Sequence, residues 1–229
     1  LYKRPLRAGC EKGARHAADG ACMALSQSDS VSCHGGSLPA STAKERNLNQ
    51  VVIYTDGACK GNPGPGGWGC LLMYGEHKKE LCGGEPSTTN NRMEIQAALS
   101  ALNILKEPCQ TEVYTDSAYL CNAVEKGWLN RWQRNGWKTA SKGSVENQDL
   151  WKELLPYLDR HEISFYRVKG HVGLDKSSAS DLDKLYSKFT EWNGTEFSYE
   201  DFVHVTEKNN IADKLANEGI HKIKQRAVL

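Results

Sequence analysis

The sequence predicts an α/β fold with its chemistry at the carboxyl edge of a mixed sheet, and two observations carry that reading. Val52-Ile53-Tyr54-Thr55-Asp56-Gly57-Ala58 and Glu112-Val113-Tyr114-Thr115-Asp116-Ser117-Ala118 echo each other. Each is a β-branched and aromatic run, expected as a strand, that ends in Thr-Asp and a small residue. Side chains alternate along a strand, so equal spacing from Tyr to Asp places both carboxylates on the same side. Parallel neighbouring strands would bring them together at the edge where α/β sheets bind ligands. The second observation is the short connections after the first run, which make antiparallel neighbours. Two turn-capping aspartates would explain either Asp alone. They do not explain the matched pair.

Composition sets the bounds. With 229 residues, 39% hydrophobic and 25% charged, the chain is of ordinary globular make-up. It contains no apolar run of membrane-spanning length, so no membrane partner is expected. A formal charge of +1 means that nucleic-acid binding must rest on a local basic patch. Eight cysteines without a Cys-x-x-Cys pair are expected to be free thiols in a reducing, cytoplasmic compartment. Residues 1–49, rich in Gly, Ala and Ser and without hydrophobic periodicity, are expected to be a disordered arm. A targeting segment, a processed end and a read-through of upstream sequence are the alternatives for an arm that starts at Leu1. The folded domain is expected over residues 50–226.

Within that domain, the glycine-rich stretch Cys59 to Gly67 reads as a turn that no strand or helix absorbs. It lacks the spacing of a phosphate cradle. Strands are expected over 68–74 and 78–83. Thr88 to Leu105 reads as a helix opened by capping residues and closed before Pro108. On it Glu94 heads the apolar stripe of Ala98, Ala101, Leu102 and Leu105, where a carboxylate is costly unless paired, hydrogen-bonded or metal-bound. Its bland reading is a first-turn Glu favoured by the helix dipole. A helix is expected from Ser117 to Lys126. The next segment interleaves Trp128, Trp132 and Trp137 with Arg131, Arg134, Lys138 and Lys142, which suits a grip on a phosphate backbone. Its competing reading is a solvated helix with packing tryptophans. A helix over Asn147 to Arg160 and a strand over Ile163 to Val168 come next, and Lys169-Gly170-His171 ends that strand at the aspartate edge. Residues 174–206 are expected to be a partly helical insertion at the rim of that edge. A final helix is expected from Glu207, with Asp213 near its start.

Asp56, Glu94 and Asp116 clustered without cations would raise one another's pKa and destabilise the fold. Magnesium resolves that conflict, because it prefers carboxylate oxygen and tolerates bridging by phosphate. Two such ions about 4 Å apart stabilise both the attacking and the leaving oxygen of an in-line phosphoryl displacement. That is nuclease chemistry.

DGACKGNPGPGGWG, TTNNRMEIQAAL, YTDSAYL, WLNRWQRNGWKTA, VKGHVG and NNIADKLA together resemble the motifs of type 1 ribonuclease H, in that family's order, from about Val51 to Ile223. The resemblance implies a ribonuclease H-like five-stranded mixed sheet flanked by helices. It implies hydrolysis of the RNA strand of an RNA/DNA hybrid to 5′-phosphate and 3′-hydroxyl ends, with Mg²⁺ or Mn²⁺. By motif, Asp56, Glu94, Asp116 and Asp213 would be metal-binding carboxylates and His171 would assist proton transfer and product departure. Asn62, Asn90 and Asn91 would contact the hybrid and Thr89 a DNA phosphate. The stretch with Trp128, Arg131, Trp132, Arg134 and Lys138, and Asn147 after it, would complete the substrate face as the basic protrusion of bacterial members. A single-module monomer is the form implied.

Two departures stand out. Ala118 replaces a polar residue common in the family, so one RNA contact is expected to be missing. The stretch between His171 and Asp213 is much longer than the family pattern, which leaves Asp213 the least secured ligand. A catalytically silent hybrid-binding protein of the same fold is the alternative, and a missing carboxylate would favour it. A related DNA nuclease or integrase is disfavoured by TTNNRME.

Overall fold

The computed structural model describes residues 48–226. Most of the expected N-terminal arm therefore lies outside the described residues, and Asn49 already opens the first strand. The strands are β1 (Asn49–Cys59), β2 (Gly64–Tyr74), β3 (His77–Thr88), β4 (Cys109–Thr115) and β5 (Glu162–Arg167). The helices are α1 (Asn90–Leu102), α2 (Ala118–Glu125), α3 (Trp128–Arg134), α4 (Gln148–Arg160), α5 (Ala179–Asn193) and α6 (Tyr199–Arg226). The strands form one five-stranded sheet in the order β3-β2-β1-β4-β5. β1, β2 and β3 run antiparallel, whereas β1–β4 and β4–β5 are parallel. Tyr54 lies opposite Tyr114 and Thr55 opposite Thr115. The two echoing runs are thus in register side by side, and the aspartates leave the sheet at the same edge.

The glycine-rich stretch is not all turn. Gly64, Gly66, Gly67 and Gly69 lie in β2 and pair with β1 and β3. The reason is on the sheet face: a Cβ on Gly67 would strike the α6 backbone at Ala216 and Ile220, and one on Gly69 would strike it at Ala212 and Ala216. Helix and strand touch backbone to backbone there, which a side chain would forbid. The composition that reads as a turn signal is a packing surface.

Each sheet face has its own core. On one, Ile53, Val113 and Phe165 pack against Ile95, Leu99 and Leu102 of α1 and Trp151 and Leu154 of α4. On the other, Tyr54, Tyr114 and Tyr166 stack across β1, β4 and β5 with ring centroids 5.3 and 5.1 Å apart. They are covered by Phe189 of α5 and by Phe202, Val205 and Ala212 of α6.

This second core corrects the expected place of the 174–206 segment. Its aromatics do not stay at the rim: Phe189 and Phe202 are 3% and 2% exposed beneath the tyrosine ladder. The final helix also starts earlier than expected. Ser198 caps it reciprocally with Asp201, its hydroxyl accepting the Asp201 N–H at 3.1 Å and the Asp201 carboxylate accepting the Ser198 N–H at 2.8 Å. α6 then runs unbroken for 28 residues, so Asp213 lies in mid-helix and not near its start. Among the described residues the five cysteines are free, and no helix is long and apolar enough to cross a membrane.

Candidate active site

Four elements end or pass at one edge of the sheet and bring acidic side chains to it. Asp56 is the eighth residue of β1 and is 3% exposed. Asp116 lies just past the end of β4, Glu94 sits in the first turns of α1, and Asp213 comes from α6. Glu94 is held from both sides: the Asn90 amide donates to it at 2.7 Å and the Ser117 hydroxyl donates to its other oxygen. Ser117 also caps α2 by accepting the Leu120 N–H. The sequence reading missed Ser117, although it occupies the position after Asp116 where the first echo carries Gly57. His171, exposed and at φ 56°, places Nδ1 3.2 Å from Asp213 Oδ2. The Asn217 amide donates to Asp213 Oδ1 at 3.0 Å, a second positioning contact that the sequence reading missed. Gly170, just before His171, lies flat against Asp116, and a Cβ there would run into that carboxylate.

The electrostatics confirm that these acids feel one another. Burial pushes the Asp56 carboxyl up to about 9, and the charges of Asp116, Asp213 and Glu94 add to the rise. Burial raises Glu94 to about 7, opposed by the Ser117 and Asn90 hydrogen bonds. Asp116 is raised by burial and then by Asp213, with His171 and Lys169 pulling the other way. Asp56 Oδ2 and Asp116 Oδ1 are buried and have no hydrogen-bond partner. An unpartnered buried carboxylate oxygen is costly unless a cation meets it. Among the described residues no group of three or more His, Cys, Asp or Glu is drawn together closely enough to hold a metal ion by itself. Mg²⁺ does not require three protein ligands at once, since it keeps several waters and is held by one or two carboxylates. The orphaned oxygens and the shared repulsion fit a hard divalent cation.

Burial, with the neighbouring charges adding to it, also acts on stability in metal-free protein. Native Asp56 keeps its proton up to about pH 9, whereas an unfolded Asp releases it near 3.8. The native state therefore binds more protons across that window, and stability falls as pH rises through it. Asp56→Asn removes the effect. In EDTA at pH 8 the variant is expected to melt at least about 3 °C above wild type, and Mg²⁺ should narrow the gap. Equal melting temperatures in EDTA would contradict the cost of a buried charge at Asp56.

Around the acids, the Asn62 side-chain oxygen accepts the Asn90 N–H at 3.2 Å, tying the β1–β2 loop to the start of α1. Thr89 caps α1 by accepting the Arg92 N–H at 3.3 Å, and Asn91 is exposed. Arg92 forks onto Asp149 at 2.9 and 2.6 Å, locking α1 to α4. Asn147, just ahead of α4, adopts the left-handed conformation at φ 55°. The tryptophans of the basic segment serve packing: Trp132 lies 6.0 Å from Trp128 and 5.8 Å from Trp151. Arg131, Arg134 and Lys138 remain exposed on that rigid base. Neutralising the three together is expected to weaken nucleic-acid binding and flatten its salt dependence by about 0.9 in the log-log slope per lost phosphate contact. Titrations at several salt concentrations would read this, and an unchanged slope would make the segment a solvated surface.

Comparison with known proteins agrees with this geometry. The RNase H family profile matches residues 48–190. The chain is 63% identical over 124 residues to the Ribonuclease H of Moorella thermoacetica, covering 54% of this chain and 82% of that one. Among solved structures it is similar to LC9-RNase H1, described as a type 1 RNase H with the type 2 active-site motif. That match has a TM-score of 0.50 at 26% identity and covers 70% and 83% of the two chains. The PFV RNase H domain superposes with a TM-score of 0.54 at 25% identity, covering 76% and 96%.

Proposed function

The chain belongs to the RNase H family, and from that premise we propose that it cleaves the RNA strand of RNA/DNA hybrids, with divalent metal held by Asp56, Glu94, Asp116 and Asp213. The observation that carries the assignment is the convergence of these acids at one sheet edge, with buried oxygens of Asp56 and Asp116 left unpartnered. All four carboxylates belong to one chain, so a monomer suffices. The free thiols of the described residues suit a reducing compartment, and we place the protein in the cytoplasm.

Bound Mg²⁺ or Mn²⁺ supplies charge stabilisation at the scissile phosphate and lowers the pKa of a coordinated water. The chain's own residues do the rest. Asn62, Asn90, Asn91 and Thr89 gather at the start of α1, where amides and a hydroxyl can read ribose 2′-hydroxyls on one strand and hold a phosphate on the other. The basic heads on α3 and beyond, with Trp128, Trp132 and Asn147 at their base, extend the grip along the duplex. His171 stands exposed beside Asp213, able to take up or release a proton at its ring as the product leaves. The products would carry 5′-phosphate and 3′-hydroxyl ends.

A silent hybrid-binding protein would need no full carboxylate set, and this chain has it. The deciding experiment is cleavage of an end-labelled RNA/DNA hybrid beside duplex DNA and duplex RNA, with Mg²⁺ and with EDTA. Cutting of hybrid RNA alone, abolished by EDTA, is the expected result. Tight binding without cutting would favour the silent reading.

A further inference from the structure

The strongest unexplained contact outside the acid cluster is made by the last residue of α5. β5 is an edge strand, and its Arg167 should present an unpaired N–H and C=O outward. Both are taken by one side chain. Asn193 Oδ1 accepts the Arg167 N–H at 2.8 Å, and Asn193 Nδ2 donates to the Arg167 carbonyl at 2.8 Å. Its remaining N–H donates to the Phe189 carbonyl at 3.0 Å, so both N–H groups of the amide are used. Beside it the Arg167 guanidinium lies 4.2 Å from the centre of the Trp192 ring. Asn193 thus stands in for a residue of a sixth strand at the one position where β5 ends.

The active edge begins just beyond that position. Val168 N–H still bonds to the Thr115 carbonyl at 2.9 Å, then Gly170 lies against Asp116 and His171 reaches Asp213. His171 holds φ 56°, a conformation that a non-glycine residue keeps only when its surroundings impose it. On the far side the Asn210 amide donates to the Val172 carbonyl at 2.9 Å. The histidine turn is therefore pinned from α5 upstream and from α6 downstream.

We propose that Asn193 is a positioning residue: through its two-point clamp on Arg167, α5 sets the path of the Gly170–His171 turn and so aims His171 at the reacting edge. This rests on the proposed hydrolysis with His171 as a participant. The test is a double-mutant cycle on hybrid cleavage, with wild type, Asn193→Ala, His171→Ala and the pair. Asn193→Ala is expected to lower kcat about tenfold with KM within about twofold, and to lower it by less than about twofold once His171 is already Ala. Circular dichroism and melting fix the folded fraction of each protein. If Asn193→Ala does not fold, Asn193→Asp gives the same reading, because it keeps the acceptor for the Arg167 N–H and loses the donor to its carbonyl. An equal fall of kcat in both backgrounds, or none in wild type, overturns the proposal. His171→Ala as fast as wild type overturns the role of His171 and this proposal together. A slow His171→Ala beside a fast Asn193→Ala overturns this proposal alone.

Discussion

Asp116→Asn is expected to cut turnover on RNA/DNA hybrid by at least about a hundredfold while changing hybrid affinity by less than about threefold. The substitution keeps the shape of the side chain and removes its charge. Asp116 Oδ1 is buried without a hydrogen-bond partner, so at that oxygen no protein donor meets the charge that the substitution removes. Affinity comes mainly from backbone contacts remote from that atom, whereas charge stabilisation acts on the transition state. The same change relieves repulsion with Asp213 and should leave the metal-free fold at least as stable as wild type. Lost activity then cannot be blamed on unfolding. Single-turnover cleavage and equilibrium binding in Ca²⁺ would measure the two arms. More than a few per cent of wild-type turnover would sink the metal assignment for Asp116.

Replacing residues 175–205 with a short Gly-Ser linker is expected to abolish cooperative unfolding. The deletion removes Phe189, Phe202 and Val205, which cover Tyr54, Tyr114 and Tyr166 on the central strands. Phe202→Ala alone should cost about 3–5 kcal/mol, a large share of the stability of a domain this size. Urea denaturation followed by tryptophan fluorescence would measure both. A shortened protein that still melts in one sharp transition near the wild-type temperature would show that the aromatics merely decorate the sheet.

The parts of this molecule that were legible in the sequence are those where one local rule acts. Alternation along a strand was enough to set Asp56 beside Asp116, because β1 and β4 are neighbours in register. Glu94 stood out as a charge heading an apolar helix face. The rest depended on contacts between distant segments. Gly67 reads as a turn residue because sequence does not show that the α6 backbone lies against it. The early start of α6 did leave a trace. Phe202, Val205, Thr206, Asn209, Ala212, Leu215, Ala216 and Ile220 are all buried and recur at three- and four-residue steps with no break near 207. The Ser-x-x-Asp signature at Ser198 marked where that stripe begins. What the stripe could not say is that it lies on the tyrosine ladder, since nothing local names a partner surface.

The unbroken course of α6 places a rule on how this protein can change. Its 28 residues make a rod of about 42 Å. The rod is seated at its middle where Ala212 and Ala216 meet Gly69 and Gly67, and near its start where Phe202 is wedged under the tyrosines. Each residue turns a helix by about 100°. Adding or removing one between Tyr199 and Asp213 would therefore swing the aromatic end off the sheet or turn the Asp213 carboxylate away from its partners. The two seats are phase-locked. Length variation in this stretch should be confined to the loops between His171 and α5 and between α5 and α6, where a change of residue number carries no rotation into the rod.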